Sequence, residues 1–449
     1  MSRSRVEMGR RRKAQRRRRL LAANAALLLA IGLVALWNVW ASSAERDGVV
    51  STPAPSAAAP SGADGSRGGA AESTNETDAG SPNETDAGTS DETETETRSE
   101  AEAETPGEAD EPGTARPPSD ETDSDAPPAV SGAQVTFAFV GDVLLGETVG
   151  TMLEQRGYDY PYEHVADLLR GADIAGANLE TAVAAAGEKR QQKQYEFRSD
   201  PKALPAFREA GFDIVSLANN HSMDFGAEGL RETMRHLEAN EIAHVGAGEN
   251  AEEAYAPRIF ERNGLRVAVL GFSRVIPDVS WKAGRNNIGL AESYDYRMPV
   301  EAIENASAEA DIVVVFAHWG DEGVEEAHPQ EQIELARRYV DAGADIVVGT
   351  HPHVLQGFEH YNGGWIAYSL GNFIFTKSKD PLTYNSGILE ASCGADGECG
   401  LKFTPLYADT PQPQPMDEEK RRKLLARLDE LSVGATVTEE GYIVAKETE

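Results

Sequence analysis

Five apolar runs, each ending in Asp, Glu, Asn or His, constrain this 449-residue chain more than any other feature. The run V-T-F-A-F-V leads into Gly141 and Asp142, and residues 172–177 lead into Asn178 and Glu180. Residues 212–217 lead into Asn219, Asn220 and His221, residues 311–316 into His318, and residues 345–348 into His351 and His353. Short continuous apolar runs bounded by turn residues read as buried strands. Helical periodicity fills the intervals at residues 203–210, 227–240, 300–310 and 329–342. Strand, polar loop, helix, strand is the order of an α/β layered fold. Ligands in such folds collect at the carboxyl ends of the strands, where all five polar clusters fall. Past the fifth cluster the rhythm shortens. Strands are predicted at 365–370, 387–392, 401–407 and near 442–444, with a charged helix at 416–431. Antiparallel strands are therefore expected to complete a sandwich.

The chain ahead of Gln134 has a different character. Residues 1–19 hold ten Lys or Arg against one acid, and residues 20–41 carry no charge and only two Asn. About 22 residues at 1.5 Å each suffice to cross a hydrocarbon layer of ~30 Å. Trp37 and Trp40 fall where an interfacial aromatic belt would lie. Basic residues before the span place the N-terminus inside and everything after Ala41 outside. A cleaved signal peptide is the rival reading, since Ser42, Ser43 and Ala44 are small enough for a peptidase. Either reading exports the protein. The expectation is a basic cytoplasmic segment (1–19), a single-pass membrane anchor (20–41), an acidic linker (42–132) and an extracytoplasmic domain (133–449).

Residues 42–132 contain 22 acids, four bases and no aromatic side chain, and repeat N-E-T-D-A-G at Asn75 and Asn83. Such a segment cannot bury enough apolar surface to offset its chain entropy, so it is expected to be a disordered, extended stalk. The formal charge of −33 excludes nonspecific nucleic-acid binding as a default, because phosphate contacts depend on Lys and Arg. Cys393 and Cys399, in C-G-A-D-G-E-C, are the only cysteines. A structural zinc site needs more ligands than these two, and an exported chain oxidises such a pair. A small disulfide closing a hairpin is expected.

A lone His is ordinarily a satisfied structural residue, and His164, His236, His244, His328 and His360 are read that way. The strand-end set differs, because chance would scatter such residues over helices and surface loops. Divalent ions take carboxylate, amide-oxygen and imidazole ligands, and a two-ion site needs about six to eight of them. Asp142, Glu180, Asn220, His221, His318, His351 and His353 supply that inventory.

The motifs G-D-V-L-L-G, A-N-L-E-T, N-N-H-S-M-D-F-G, H-W-G, G-T-H-P-H-V-L-Q and S-L-G-N-F-I-F, in this order, resemble the CapA family, associated with poly-γ-glutamate capsule synthesis and export. The resemblance covers residues 134 to 445, and the family in turn is similar to calcineurin-like metallophosphoesterases. It implies a metallophosphoesterase-like four-layer α/β/β/α sandwich. It further implies Asp142 as the first-motif ligand, Glu180 as the bridging carboxylate, Asn220 as the amide ligand, and His318, His351 and His353 as imidazole ligands. His221 would be the histidine that protonates a leaving oxygen, with Asp224 orienting it. The ions implied are divalent: Mn, Zn, Fe or Mg. Two departures put their number in doubt: Leu144 stands where the phosphoesterase motif has a His, and Glu180 where it has an Asp.

Trp319, Phe373 and Phe375 are read as packing residues, and Asn372 and Gln356 as residues that support the ligands. The expected function is a membrane-anchored, extracytoplasmic part of polyglutamate or related capsule synthesis and export, contacting the polymer and membrane synthase or export subunits. A metal-dependent phosphoesterase of an extracellular phosphoester and a noncatalytic polymer-binding scaffold are the alternatives. No G-x-x-x-x-G-K-[ST] loop occurs, so ATP-driven ligation is assigned to another protein.

Overall fold

The strand expected from V-T-F-A-F-V runs Gln134–Val143 and forms the centre of a ten-stranded mixed sheet. A computed structural model describes residues 132–446 apart from 186 and 189–194. The basic segment, the expected anchor and nearly all of the acidic linker lie outside the described residues. Among the described residues no helix is long and apolar enough to cross a membrane. On one side of Gln134–Val143, strands Ile174–Leu179, Phe212–Ser216 and Ala243–Val245 follow in parallel. On the other side Asn385–Gly394, Cys399–Tyr407, Tyr442–Ala445 and Ala435–Val437 are antiparallel. A second sheet of six strands has Gly364–Ala367, Ile346–Thr350, Ile312–His318 and Leu265–Ser273 parallel at its centre. Antiparallel edges, Phe358–Tyr361 and Arg258–Arg262, close it.

Strand alternation decides what lies between and outside the sheets. Phe137, Phe139 and Ile214 meet Val267, Val314, Phe316 and Val348 in one buried layer between them. The Phe139 and Phe316 rings touch edge to face across that seam, 5.7 Å between centroids. Burying each such side chain contributes about 1.5–3 kcal/mol. On the opposite face of the larger sheet, Val140, Ala177 and Val215 pack under helices Glu147–Arg156, Leu204–Glu209 and Gly226–Ala239. Val313, Val315 and Val347 on the outer face of the smaller sheet pack under Arg297–Glu309 and Leu335–Ala342. The order is helix, sheet, sheet, helix, so the described chain is a mixed α/β fold of four layers.

Most expected elements appear within a few residues of their predicted ends, and the differences have local causes. Leu265–Ser273, a strand of the smaller sheet, is not among the expected runs. It ends at Ser273, whose hydroxyl receives the Val275 N–H at 3.0 Å, so it presents no candidate ligand to notice. The helix Glu147–Arg156 is also unexpected from sequence. It holds Thr148, Val149, Gly150 and Thr151, poor helix formers, and buries only Val149 and Leu153. The helix predicted at 329–342 begins instead as a π-helical segment, Pro329–Glu334. Its buried Gln332 reaches inward, accepting from the His328 amide at 2.8 Å and donating to the Gln356 side chain at 2.7 Å, which widens the first turns. Cys393 and Cys399 lie opposite each other at the end of a hairpin and are disulfide-bonded, as expected.

Candidate metal centre

Parallel strands of both sheets point their carboxyl ends at one edge of the seam, and the strand-end residues meet there. Asp142, Glu180 and Asn220 arrive from the larger sheet and His318, His351 and His353 from the smaller. All are buried except His353, whose side chain is 17% exposed. A register shift between Phe139 and Asp142 turns the end of the first strand, the usual work of a bulge beside a site. That end packs so tightly that a Cβ on Gly141 would stand 1.9 Å from the Gly371 carbonyl oxygen. The G-D motif therefore needs its glycine for close backbone approach.

Asp142 ties the two sheets together. Its Oδ1 accepts from the Asn178 amide at 2.8 Å, and its Oδ2 accepts from the His351 backbone N–H at 3.3 Å and lies 3.2 Å from His353 Nδ1. His353 Nδ1 also faces Asn372 Oδ1 at 2.9 Å, so two acceptors place its proton on Nδ1 and leave Nε2, 3.9 Å from Glu180 Oε1, for a ligand. Burial works against a charge on His353, but the hydrogen bond and charge of Asp142 outweigh it and raise its pKa. His351 is pushed down to about 3, chiefly by burial and next by the neighbouring His353 imidazole, so its ring is neutral near pH 7. His318 Nε2 lies 2.8 Å from Asn220 Oδ1 and 3.8 Å from Glu180 Oε1. Both His351 (φ 99°) and His353 (φ 60°) adopt left-handed backbone, a conformation costing about 1–3 kcal/mol that concentrates at functional sites.

Two groups offer ligand atoms within 4.8 Å of one another: Glu180, His351 and His353, and Asp142, Glu180 and His318. Among the described residues the buried Nδ1 of His351 has no hydrogen-bond partner, which leaves it open to a ligand such as a cation. Donor atoms sharing one ion at about 2.1 Å stand roughly 3–3.5 Å apart, so a bound ion would draw these side chains slightly closer together. Carboxylate, amide oxygen and imidazole fit a hard or borderline divalent ion.

His221 sits beside this cluster. Its Nδ1 is 2.7 Å from Asp224 Oδ2, which also accepts the Phe197 N–H at 2.8 Å. The carboxylate fixes the proton on Nδ1 and orients the ring, leaving Nε2 as the nitrogen that can take or give a proton. Leu144 is fully buried and apolar, so its position contributes packing alone.

Several participants were given no role at the site by the sequence, although Asn178 and Asn219 stand among its strand-end residues. Asn178 and Asn219, both buried, form the hub beneath the ligands. Asn219 Oδ1 accepts from the His221 and Ser222 amides, while its Nδ2 donates to Asn178 Oδ1 at 3.0 Å and Leu179 O at 2.9 Å. Thr350 Oγ1 lies 3.0 Å from His318 Nδ1. The doubled Asn of N-N-H was the available signal for Asn219. Phe197 stacks on His221 at 4.2 Å, and no local pattern marks it. Phe375, expected to be packing, instead lies at the rim, 4.9 Å from the His353 ring and edge-on to Phe197. Trp319 and Phe373 are buried as expected. Asn372 meets a candidate ligand, its Oδ1 facing His353 Nδ1. Gln356 holds the Val324 carbonyl at 2.8 Å and Gln332, and so braces a loop instead of a ligand. The five histidines read as structural stay outside both ligand groups.

Fold and site together define a layered α/β protein with an acidic and imidazole cluster at the seam of two sheets. Residues 136–377 match the model of the bacterial capsule synthesis protein PGA_cap family, and the chain belongs to that family. It is 34% identical over 292 residues to the capsule biosynthesis protein CapA of Bacillus anthracis, covering 63% of this chain and 70% of that one. It is 32% identical over 316 residues to the PGA biosynthesis protein CapA of Bacillus subtilis (strain 168), covering 69% and 81%. Among solved structures it is similar to the calcineurin-like phosphoesterase YfkN from Bacillus subtilis, at 15% identity, TM-score 0.36, and coverage of 61% and 90%.

Proposed function

We propose that this protein acts in the synthesis and export of a capsule polymer of the poly-γ-glutamate class, as an accessory that uses a divalent cation at the seam cluster. The observation that carries the metal reading is the pair of groups with closely spaced donor atoms, Glu180, His351 and His353 and Asp142, Glu180 and His318, where strand ends of the two sheets meet. Membership of the capsule synthesis family and the names of the CapA relatives support the polymer class. Glu180, His351 and His353 would hold a cation, with Asp142, His318 and Asn220 beside them. Such a cation supplies Lewis acidity toward a phosphoryl or carboxyl oxygen. Asp224 holds the His221 proton on Nδ1, so Nε2 can protonate a leaving oxygen. Phe197 and Phe375 shield the His221 and His353 rings from water.

The proposed location is the outer face of the cell membrane, with residues 20–41 as the anchor and the folded domain extracytoplasmic. The proposed partners are the polymer and membrane synthase or export subunits. The uncharged stretch after a basic run supports the location, and protease accessibility of the folded domain on intact cells tests it.

His221 paired with Asp224 beside the donors favours a second reading, hydrolysis of a phosphoester. The full chain, loaded with Mn²⁺, is assayed on an aryl phosphate and on polyglutamate, wild type beside His221→Ala. Turnover that falls about 100-fold or more in the variant, with bound Mn²⁺ unchanged, supports a His221-dependent hydrolase. Normal capsule output from a strain carrying Glu180→Ala with His221→Ala would instead leave a scaffold role.

A further inference from the structure

We infer that this centre holds a single divalent ion, because the side-chain amide of Asn178 occupies the place of a second one. The inference rests on the metal-centre reading and adds the number of ions to it. Asn178 Nδ2 lies 2.8 Å from Asp142 Oδ1, 3.3 Å from Glu180 Oε2 and 3.3 Å from His318 Nδ1. These three residues are the second group with ligand spacing, so each of its members already turns an acceptor-type atom to this nitrogen.

The direction of the amide follows from fixed groups. The His221 and Ser222 backbone N–H groups can only donate, and both point at Asn219 Oδ1 at 3.0 and 2.9 Å. The other end of Asn219 is therefore its NH₂, which donates to Asn178 Oδ1 at 3.0 Å. Asn178 must then turn its own NH₂ toward the two carboxylates. An amide NH₂ is a donor with no lone pair to offer an ion, and it puts a fixed partial positive charge where a two-ion site would put its second cation. An ion there would need its ligands at about 2.0–2.2 Å, within the space the nitrogen fills. Asn178 is buried with its Oδ1 bonded, so the amide cannot swing aside without breaking the bond to Asn219. Glu180, His351 and His353 remain as the group that takes the ion.

The test counts Mn²⁺ retained by the full-length chain after desalting, by elemental analysis and by electron paramagnetic resonance. Wild type is expected to retain about one equivalent with the signal of an isolated Mn²⁺, where a pair about 3.5–4 Å apart would be exchange-coupled. Asn178→Asp, which replaces the donor by a carboxylate, is expected to retain about two equivalents and to show the coupled signal. Two equivalents in wild type would overturn the inference, and so would one equivalent in a folded Asn178→Asp protein. No retained ion in wild type would remove the metal-centre reading and the inference with it. The wild-type count decides the matter even where the variant fails to fold.

Discussion

Asn219 is the residue on which the centre's geometry turns, although it is not itself a candidate ligand. One side chain joins the turn carrying Asn220 and His221 to the end of the strand carrying Asn178 and Glu180. Its replacement by Ala strands the buried Asn178 amide and frees the turn. Residues that orient ligands typically affect affinity about 10–100-fold, and Asn219→Ala is expected to weaken Mn²⁺ binding by that factor. Calorimetric titration of wild type and variant checks it, and equal affinities would show that the hub is only structural. Glycine positions show how local surroundings set the sign of one substitution. Gly141→Ala drives a Cβ to 1.9 Å from a backbone oxygen and is expected to cost about 3 kcal/mol in urea unfolding. Gly150→Ala, in the helix Glu147–Arg156, meets nothing nearer than 3.4 Å and is expected to stabilise by about 0.5–1 kcal/mol. Both are changes of Gly to Ala, and only the neighbours differ.

Between elements, Asp173 clamps the start of the seam. Its Oδ2 accepts from the Thr136 amide and hydroxyl, both at 2.8 Å, and from Asn263 of the neighbouring hairpin at 3.0 Å. Burial alone would raise its pKa, but the hydrogen bonds from Thr136 and Asn263 and the Arg262 charge outweigh burial and lower it. A carboxyl depressed in the folded state stabilises fully above its unfolded value of about 3.9 and loses that contribution as pH falls through its folded value. Asp173→Ala is therefore expected to cost about 1.5–3 kcal/mol at neutral pH. The gap between wild type and variant should close as the pH is lowered below about 4. Thermal unfolding at pH 7 and pH 3 measures this, and a pH-independent gap would contradict the charge-based account. The element scale is also where sequence and structure part most clearly. Leu265–Ser273 escaped notice because its end carries no ligand, although it lies beside the strand that delivers His318. The π-helical start at Pro329 depends on Gln332 reaching residues from 24 to 36 positions away, which no local pattern contains.

At the scale of the whole molecule, the centre exists only while the two sheets stay in register across their shared layer. Phe316, edge-on to Phe139, lies in that layer two residues before His318. Phe316→Ala is expected to cost about 3–5 kcal/mol and to lower Mn²⁺ affinity while the chain is still folded, because half of the donors ride on the smaller sheet. Mn²⁺ titration beside a circular-dichroism melt separates the two effects, and a destabilised variant with unchanged affinity would argue that the half-sites are held independently. The sequence by itself determined that strands end in Asp142, Glu180, Asn220, His318, His351 and His353, because the apolar run and the polar stop are adjacent in the chain. It also determined the layered α/β order and the closing disulfide, which depend on periodicity and short spacing. Only the tertiary structure decided which donors meet. Asp142 and His351 are 209 residues apart, and their distance is set by sheet packing and strand register. The direction of the Asn178 amide was equally beyond local reading, since it is dictated by two backbone N–H groups acting through Asn219 from the next strand's loop.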